Sequence, residues 1–260
     1  VPPRSDLYTD RTRANSFGAA AQRYDDYRPH YPDALIDDLL APDCGAVRKC
    51  LDVGAGTGIA SKQLADRGVD VLAVEPDERM ATVLRGKLIP AEIATFEQWD
   101  PRGRRFDLVV FAASYHWVDP AVALPKITGI LTDGGRLALL WNRLRPIAPT
   151  QAQFSEIYRD YLPPHACDRD PDPDGVRSVV DTLRAAGFNV SQRSYARTLQ
   201  FSRDQWVEVL FTFSKYLTLP QDAADSLRRR LAERIDDSGV TVGGDALAIV
   251  ATPIRPRGPR

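Results

Sequence analysis

A short apolar strand, Lys49-Cys50-Leu51-Asp52-Val53, runs straight into Gly54-Ala55-Gly56-Thr57-Gly58, and this junction narrows the choice of folds more than any other stretch. Glycines at alternate positions let main chain lie directly against a ligand, with no Cβ between them. A second apolar strand, Val69-Asp70-Val71-Leu72-Ala73-Val74, ends on Glu75, seventeen residues past Gly58. An acidic side chain closing the next strand of a βαβ unit is where a ribose diol is gripped. Strand, glycine turn and acidic strand end together predict a nucleoside-bearing cofactor at the carboxyl edge of a parallel sheet.

The surrounding pattern agrees. From about residue 47 to 142, apolar strands alternate with helices: strand Val47–Val53, helix Ile59–Arg67, strand Val69–Glu75, and a helix from Asp77 to about Gly86. A weaker strand near Ile93 precedes Phe106–Phe111; a helix from Pro120 to Leu131 precedes the strand Gly135–Trp141. Continuous Val/Leu/Phe strands between helices imply a parallel sheet covered on both faces. Residues 145–175, rich in Pro and Asp and holding His165, read as a solvated loop. Beyond it lie a helix Val176–Ala186 and a long strand Phe188–Phe201. Ser202-Arg203-Asp204-Gln205 has capping-box form and opens a helix with Trp206, Leu210, Phe213 and Leu217 on one face. A second amphipathic helix carries Leu227, Leu231 and Ile235, and its Arg228-Arg229-Arg230 run is the wet side. A last strand, Val240–Ala251, precedes a tail read as disordered over residues 253–260.

The glycine spacing separates two cofactor classes. A dinucleotide fingerprint reads G-x-G-x-x-G and sets a helix N-terminus against a pyrophosphate. Here the spacing is G-x-G-x-G, with Asp52 still on the strand. This arrangement resembles the first motif of the class I methyltransferases, which use S-adenosylmethionine; the Gly134-Gly135 pair before the fifth strand resembles that fold too. The upstream segment Phe17–Pro32, with its Tyr…Arg-Pro-x-Tyr-Pro pattern, and His116-Trp117-Val118-Asp119-Pro120 resemble a small-molecule subgroup that includes trans-aconitate methyltransferase. The resemblance covers roughly residues 15–142. It implies an α/β fold: a seven-stranded Rossmann-like methyltransferase sheet, mostly parallel with the last strand antiparallel, under a helical lid at about 203–236. Residues 1–40 would cover the cofactor site and 41–252 would form the core.

The resemblance also implies roles. Gly54, Ala55, Gly56 and Gly58 would lie along the cofactor, and Asp52 would accept from its amine or from a bridging water. Glu75 would hold the ribose hydroxyls, a role compatible with capping the helix at Asp77. Pro76, Met80 and Phe96 would wall the adenine, Glu97 would accept from its exocyclic amine, and Phe111 and Ala112 would border the methionine moiety. The chemistry of the cofactor adds further candidates. Arg28 suits its carboxylate, and the faces of Tyr24 and Tyr31 suit a sulfonium. A surface ion pair for Arg28 and core packing for the tyrosines remain open alternatives. His116 is the candidate general base, although a carboxylate acceptor needs none. A histidine held by hydrogen bonds that shapes the wall with Trp117 is the open alternative. Tyr115, Trp117, Trp206 and Phe213 are candidate acceptor contacts. Asp119 followed by Pro120 reads as a helix cap.

Composition sets outer bounds. A hydrophobic fraction of 43% and net charge of −1 describe a globular protein with no polyanion footprint. The chain lacks an Asn/Asp-Pro-Pro-Tyr motif after the fourth strand, which argues against a nucleic-acid substrate. No apolar run is long enough to span a bilayer and no leader is evident, so a cytoplasmic location is expected. Cys44, Cys50 and Cys167 read as free thiols, and with His30, His116 and His165 scattered, no metal is expected. The expectation is a transferase that moves a methyl group to a small molecule, at oxygen, leaving S-adenosylhomocysteine. A non-catalytic S-adenosylmethionine-binding protein and an NAD-dependent oxidoreductase are the alternatives. Oligomeric state is not legible.

Overall fold

The computed structural model describes residues 8–14, 16–41, 45–163 and 173–254. Cys44, His165, Cys167, residues 168–172 of the expected loop, and residues 255–260 of the expected tail lie outside them.

Strands β1 (Lys49–Val53), β2 (Asp70–Val74), β3 (Ala91–Glu92), β4 (Phe106–Ala112), β5 (Leu131–Ala148), β6 (Phe188–Phe201) and β7 (Val240–Pro253) form one sheet in the order β3-β2-β1-β4-β5-β7-β6. The first five run parallel, β7 is antiparallel to both neighbours, and β6 therefore runs with the rest. The chain reverses direction across the sheet between β1 and β4, and the crevice above such a switch point is where open α/β sheets bind ligands.

Apolar side chains alternate to both faces, so the sheet carries two cores. One packs Leu51, Val109, Phe111, Leu137 and Leu139 under helices Pro120–Ile130 and Pro173–Ala185. The other packs Cys50, Val71, Leu108, Val110 and Leu140 under helices Asp33–Leu40, Ile59–Ala65 and Glu78–Gly86. Arg136 on β5 is buried, and its guanidinium donates to the carbonyls of Leu39 and Gly45, satisfying the end of helix Asp33–Leu40.

β5, β6 and β7 continue well past the ends of the other strands and carry a third core. It joins helices Gln151–Tyr158, Arg203–Leu210, Ser214–Leu217 and Gln221–Arg234 through Phe154, Tyr158, Trp206, Phe211, Tyr216, Leu227 and Leu231. Three local expectations change here. The stretch read as a loop contains helix Gln151–Tyr158, opened by a Thr150/Gln153 capping box. The helix read as continuous through Leu217 ends at Leu210 and restarts at Ser214, which turns Phe213 outward at 37% exposure. The last strand extends to Pro253, and Ile254 donates its N–H to Gly187 O at 2.8 Å, so residues 253 and 254 are ordered rather than tail. No helix among the described residues is long and apolar enough to cross a membrane.

Candidate functional site

The turn after β1 is built for close approach. Gly54, Gly56 and Gly58 have φ of +61°, +58° and +80°, a region that L side chains rarely enter. Val74 O accepts from Gly54 N at 2.8 Å, tying the turn to the end of β2. A Cβ on Gly54 would sit 2.7 Å from Ser114 Cβ, and one on Gly58 would sit 2.9 Å from Leu84 Cγ. Ser114, at the exit of β4, donates its hydroxyl to Val53 O. The turn is thus wedged between the β4 exit and helix Glu78–Gly86. At that exit Ala113 holds φ +57°, unusual for a residue with a Cβ, and donates its N–H to Leu140 O at 2.8 Å.

Two buried carboxylates flank the turn. Glu75 accepts from Gly56 N at 2.8 Å and from Asp77 N at 2.9 Å, so ribose candidate and glycine turn form one hydrogen-bonded unit. Burial pushes the Glu75 carboxyl up to about 7 despite these donors. Asp52 is fully buried and accepts from Ser61 Oγ at 2.6 Å, while its Oδ1 has no partner. Burial raises Asp52 to about 6, and the Ser61 hydrogen bond opposes that shift. The Thr57 hydroxyl in the turn is likewise buried without a partner.

The N-terminal segment is docked beside these groups. A Cβ on Gly18 would fall 2.1 Å from Asp77 Oδ2, so glycine is what allows the segment to sit on the start of helix Glu78–Gly86. Phe17 meets Tyr24 and Trp117 edge-on at 6.2 and 5.9 Å between ring centres. Gln63 exchanges two hydrogen bonds with the Tyr31 main chain, at 3.0 and 2.8 Å, and Tyr31 itself is buried in the second core. Arg28 donates to Thr212 O at 3.0 Å, and its guanidinium lies 3.7 Å from the Phe213 ring centre and 4.8 Å from that of Tyr24. Its Nε is buried and unpartnered, and burial lowers its pKa. The open alternative for Arg28, a surface ion pair, is absent among the described residues. Arg23–Glu208 and Arg13 to Ser214 Oγ at 3.1 Å also join segment and lid.

The remaining candidates fall into two groups. Met80 is buried under the turn, 3.4 Å from where a Gly56 Cβ would be, whereas Pro76 is exposed beside it. Phe96 stacks on Trp99 and meets Phe111 edge-on, and Phe111 meets Tyr115 at 5.5 Å, all within the first core. Ala112 ends β4, and His116 and Trp117 follow in a short 3-10 turn with ring centres 4.7 Å apart. Glu97 accepts from Asp119 N at 3.1 Å, and Asp119 caps helix Pro120–Ile130 as expected. Trp206 lies inside the lid core between Phe154 and Phe201, and Phe213 stands apart from it against Arg28. Ser61, Ser114 and Gly18 also shape the site and were not foreseen. Ser61 could have been found, because it faces Asp52 one helical turn into the helix that follows the glycines; the others depend on contacts distant in sequence.

The sheet order and reversed seventh strand define a doubly wound α/β chain with a glycine turn and a buried carboxylate at its switch point. Known proteins agree on a narrower class. The profile of a family described as a methyltransferase domain matches residues 51–139. A demethylmenaquinone methyltransferase of Beutenbergia cavernae is 30% identical over 193 residues, covering 70% of this chain and 80% of that one. An uncharacterized methyltransferase of Mycobacterium tuberculosis is 43% identical over 134 residues, covering 51% of this chain and 54% of its own. The chain thus spans about half the length of the curated relatives it matches at this higher identity. A structure from Anaeromyxobacter dehalogenans, whose name proposes a type II methyltransferase, superposes with a TM-score of 0.60 at 25% identity, covering 89% of this chain and all of that one. The chain belongs to the methyltransferase family. That membership removes the NAD-dependent oxidoreductase alternative.

Proposed function

We propose that this chain transfers a methyl group from S-adenosylmethionine to an oxygen atom of a small-molecule acceptor. The observation that carries the reading is the Glu75 carboxylate held by Gly56 N–H at the carboxyl edge of the sheet. A carboxylate fixed in this way still has lone pairs for a ribose diol. The orphaned atoms suit the other end of the cofactor: Asp52 Oδ1 is an acceptor for its ammonium, and Arg28 Nε is a cationic donor for its carboxylate. Glycines at 54, 56 and 58 leave room for the ligand chain.

When bound, the cofactor supplies a methyl carbon already activated by positively charged sulfur. The protein then has to align and desolvate, an effect worth up to about 7–11 kcal/mol in the best intramolecular cases. Tyr24 and Tyr31 would offer aromatic faces to the sulfonium. Phe96, Glu97, Met80 and Pro76 would hold the adenine, with Ala55, Phe111 and Ala112 along the methionine arm. His116, just past β4, would take the proton of a hydroxyl acceptor at an imidazole nitrogen, with Trp117 beside it. Tyr115, Phe213 and Trp206 would shape the acceptor side, directly or through the lid. The Arg-Pro-x-Tyr-Pro segment supports the small-molecule subgroup that resembles trans-aconitate methyltransferase.

The test is incubation of the purified chain with methyl-labelled S-adenosylmethionine and fractionated metabolite extract, followed by mass spectrometry. Label should appear in a small molecule as an ester or ether, with S-adenosylhomocysteine released in equal amount. Binding of the cofactor with no labelled product in any fraction would favour a non-catalytic binding protein.

A further inference from the structure

Helix Pro120–Ile130 does more than cover the first core. Its Lys126 ammonium reaches into the turn after β3 and donates to three main-chain carbonyls: Phe96 O at 2.7 Å, Glu97 O at 3.2 Å, and Trp99 O. It also lies 5.1 Å from the Phe96 ring centre and 5.7 Å from that of Trp99. No carboxylate among the described residues forms an ion pair with it. One cation therefore gathers the carbonyls of a single turn, groups that are costly to leave unpaired when partly buried.

The same helix holds the turn at a second point. Asp119, its N-cap, donates its main-chain N–H to Glu97 Oε1 at 3.1 Å, leaving Oε2 for another donor. The far side of the turn is tied to β3, where Glu92 accepts from Trp99 Nε1 and pairs with Arg104 at 2.8 Å. Position and tilt of Phe96 and Glu97 are thus set from two sides, and Lys126 supplies most of the bonds from the helix.

We propose that Lys126 is a positioning residue for cofactor recognition: by gathering the carbonyls of residues 96, 97 and 99 it aims Glu97 at the exocyclic amine of adenine. The inference rests on the cofactor reading above. Lys126 touches neither cofactor nor acceptor, and its effect passes through the turn. Its signature is therefore base discrimination. Going from adenine to hypoxanthine replaces the exocyclic amino donor with a carbonyl acceptor and turns N1 from acceptor to donor, which sets a carbonyl oxygen against the Glu97 carboxylate.

The experiment is calorimetric titration of the wild-type chain and of Lys126→Met with S-adenosylhomocysteine and with S-inosylhomocysteine. Amide exchange over residues 95–99 is followed in the ligand-free proteins. Wild type should prefer the adenosyl ligand by at least about tenfold, as expected when a fixed polar group loses its partner. Lys126→Met should weaken adenosyl binding by about tenfold, bring the preference close to one, and speed exchange at Gln98 and Trp99. Unchanged preference, or equal loss for both ligands, overturns the proposal. If Lys126→Met does not fold, Lys126→Gln decides: a preference below wild type supports the role and an unaltered one overturns it. Wild type that binds neither ligand overturns the cofactor reading itself, and wild type that binds both equally removes Glu97 from adenine and the proposal with it.

Discussion

The two sides of the site are made by different physics. The cofactor side is a rigid junction in which Gly54 to Gly58, Glu75 and Asp52 sit on or beside adjacent parallel strands. Its geometry comes from main-chain conformation and from close contacts that only glycine permits. The lid side has its own aromatic core on the extended ends of β5, β6 and β7. It meets the N-terminal segment through long arginine side chains, Arg13, Arg23 and Arg28, reaching Ser214, Glu208 and Thr212. A junction of the first kind tolerates almost no change of shape. One of the second kind can loosen while the sheet beneath stays intact, since a half-exposed pair such as Arg23–Glu208 contributes about 0–1 kcal/mol and only Arg28 among these arginines is buried.

That contrast can be broken most directly in the lid. Trp206→Ala should cost about 3–5 kcal/mol of stability, as for other large aromatic truncations in a core. Denaturant unfolding measures the loss. At temperatures where the variant is folded, S-adenosylhomocysteine affinity should stay within about tenfold of wild type. A larger loss of affinity would mean that the two sides are one cooperative unit. Gly54→Ala is the converse. Its Cβ would meet Ser114 at 2.7 Å at positive φ, so stability should fall by about 1–3 kcal/mol. Cofactor affinity should fall on the order of 100-fold by calorimetry, a penalty of about 3 kcal/mol.

How legible each side was follows from the same contrast. Gly54, Gly56, Gly58 and Glu75 could be read because spacing along one βαβ unit sets their positions. Phe188–Phe201 was likewise read to the residue, since a long strand between clear breaks leaves little freedom. The break at Phe211–Phe213 was hidden because apolar residues continue the helical period through it, and only tertiary packing turns Phe213 toward Arg28. Helix Gln151–Tyr158 was missed although Thr150 and Gln153 carry the same signal that revealed Ser202 and Gln205. There the surrounding Pro and Asp outweighed it. The contacts of Gly18 with Asp77, Ser114 with Val53 and Arg136 with Leu39 join residues far apart in the chain, and no local pattern announces them.

A smaller effect separates the two sides by pH. Burial raises Glu75 to about 7 in the free protein, and a bound cationic sulfonium together with ribose donors favours its ionised form. Binding therefore releases a proton below that value, so affinity for S-adenosylmethionine should rise with pH up to about 7 and level off above it. Between pH 6 and 7 the gain should be about tenfold per pH unit at most, the limit for one linked proton, with Asp52 adding a second below pH 6. Titration in buffers of different ionisation heat gives the proton count directly, and Glu75→Gln should remove the rise between pH 6 and 7, leaving below pH 6 the part that Asp52 contributes. Lid variants should leave the profile unchanged. A flat wild-type profile would show that Glu75 does not change its charge on binding.

The central claim is that the turn after β1 and the carboxylate ending β2 hold an adenosyl group. A crystal structure of the chain with S-adenosylhomocysteine tests it most directly. The account predicts ribose hydroxyls donating to Glu75, the ligand chain lying along Gly54 to Gly58, and adenine between Met80 and the Phe96–Glu97 turn. A ribose bound away from Glu75, or a ligand seated elsewhere on the sheet edge, would contradict it.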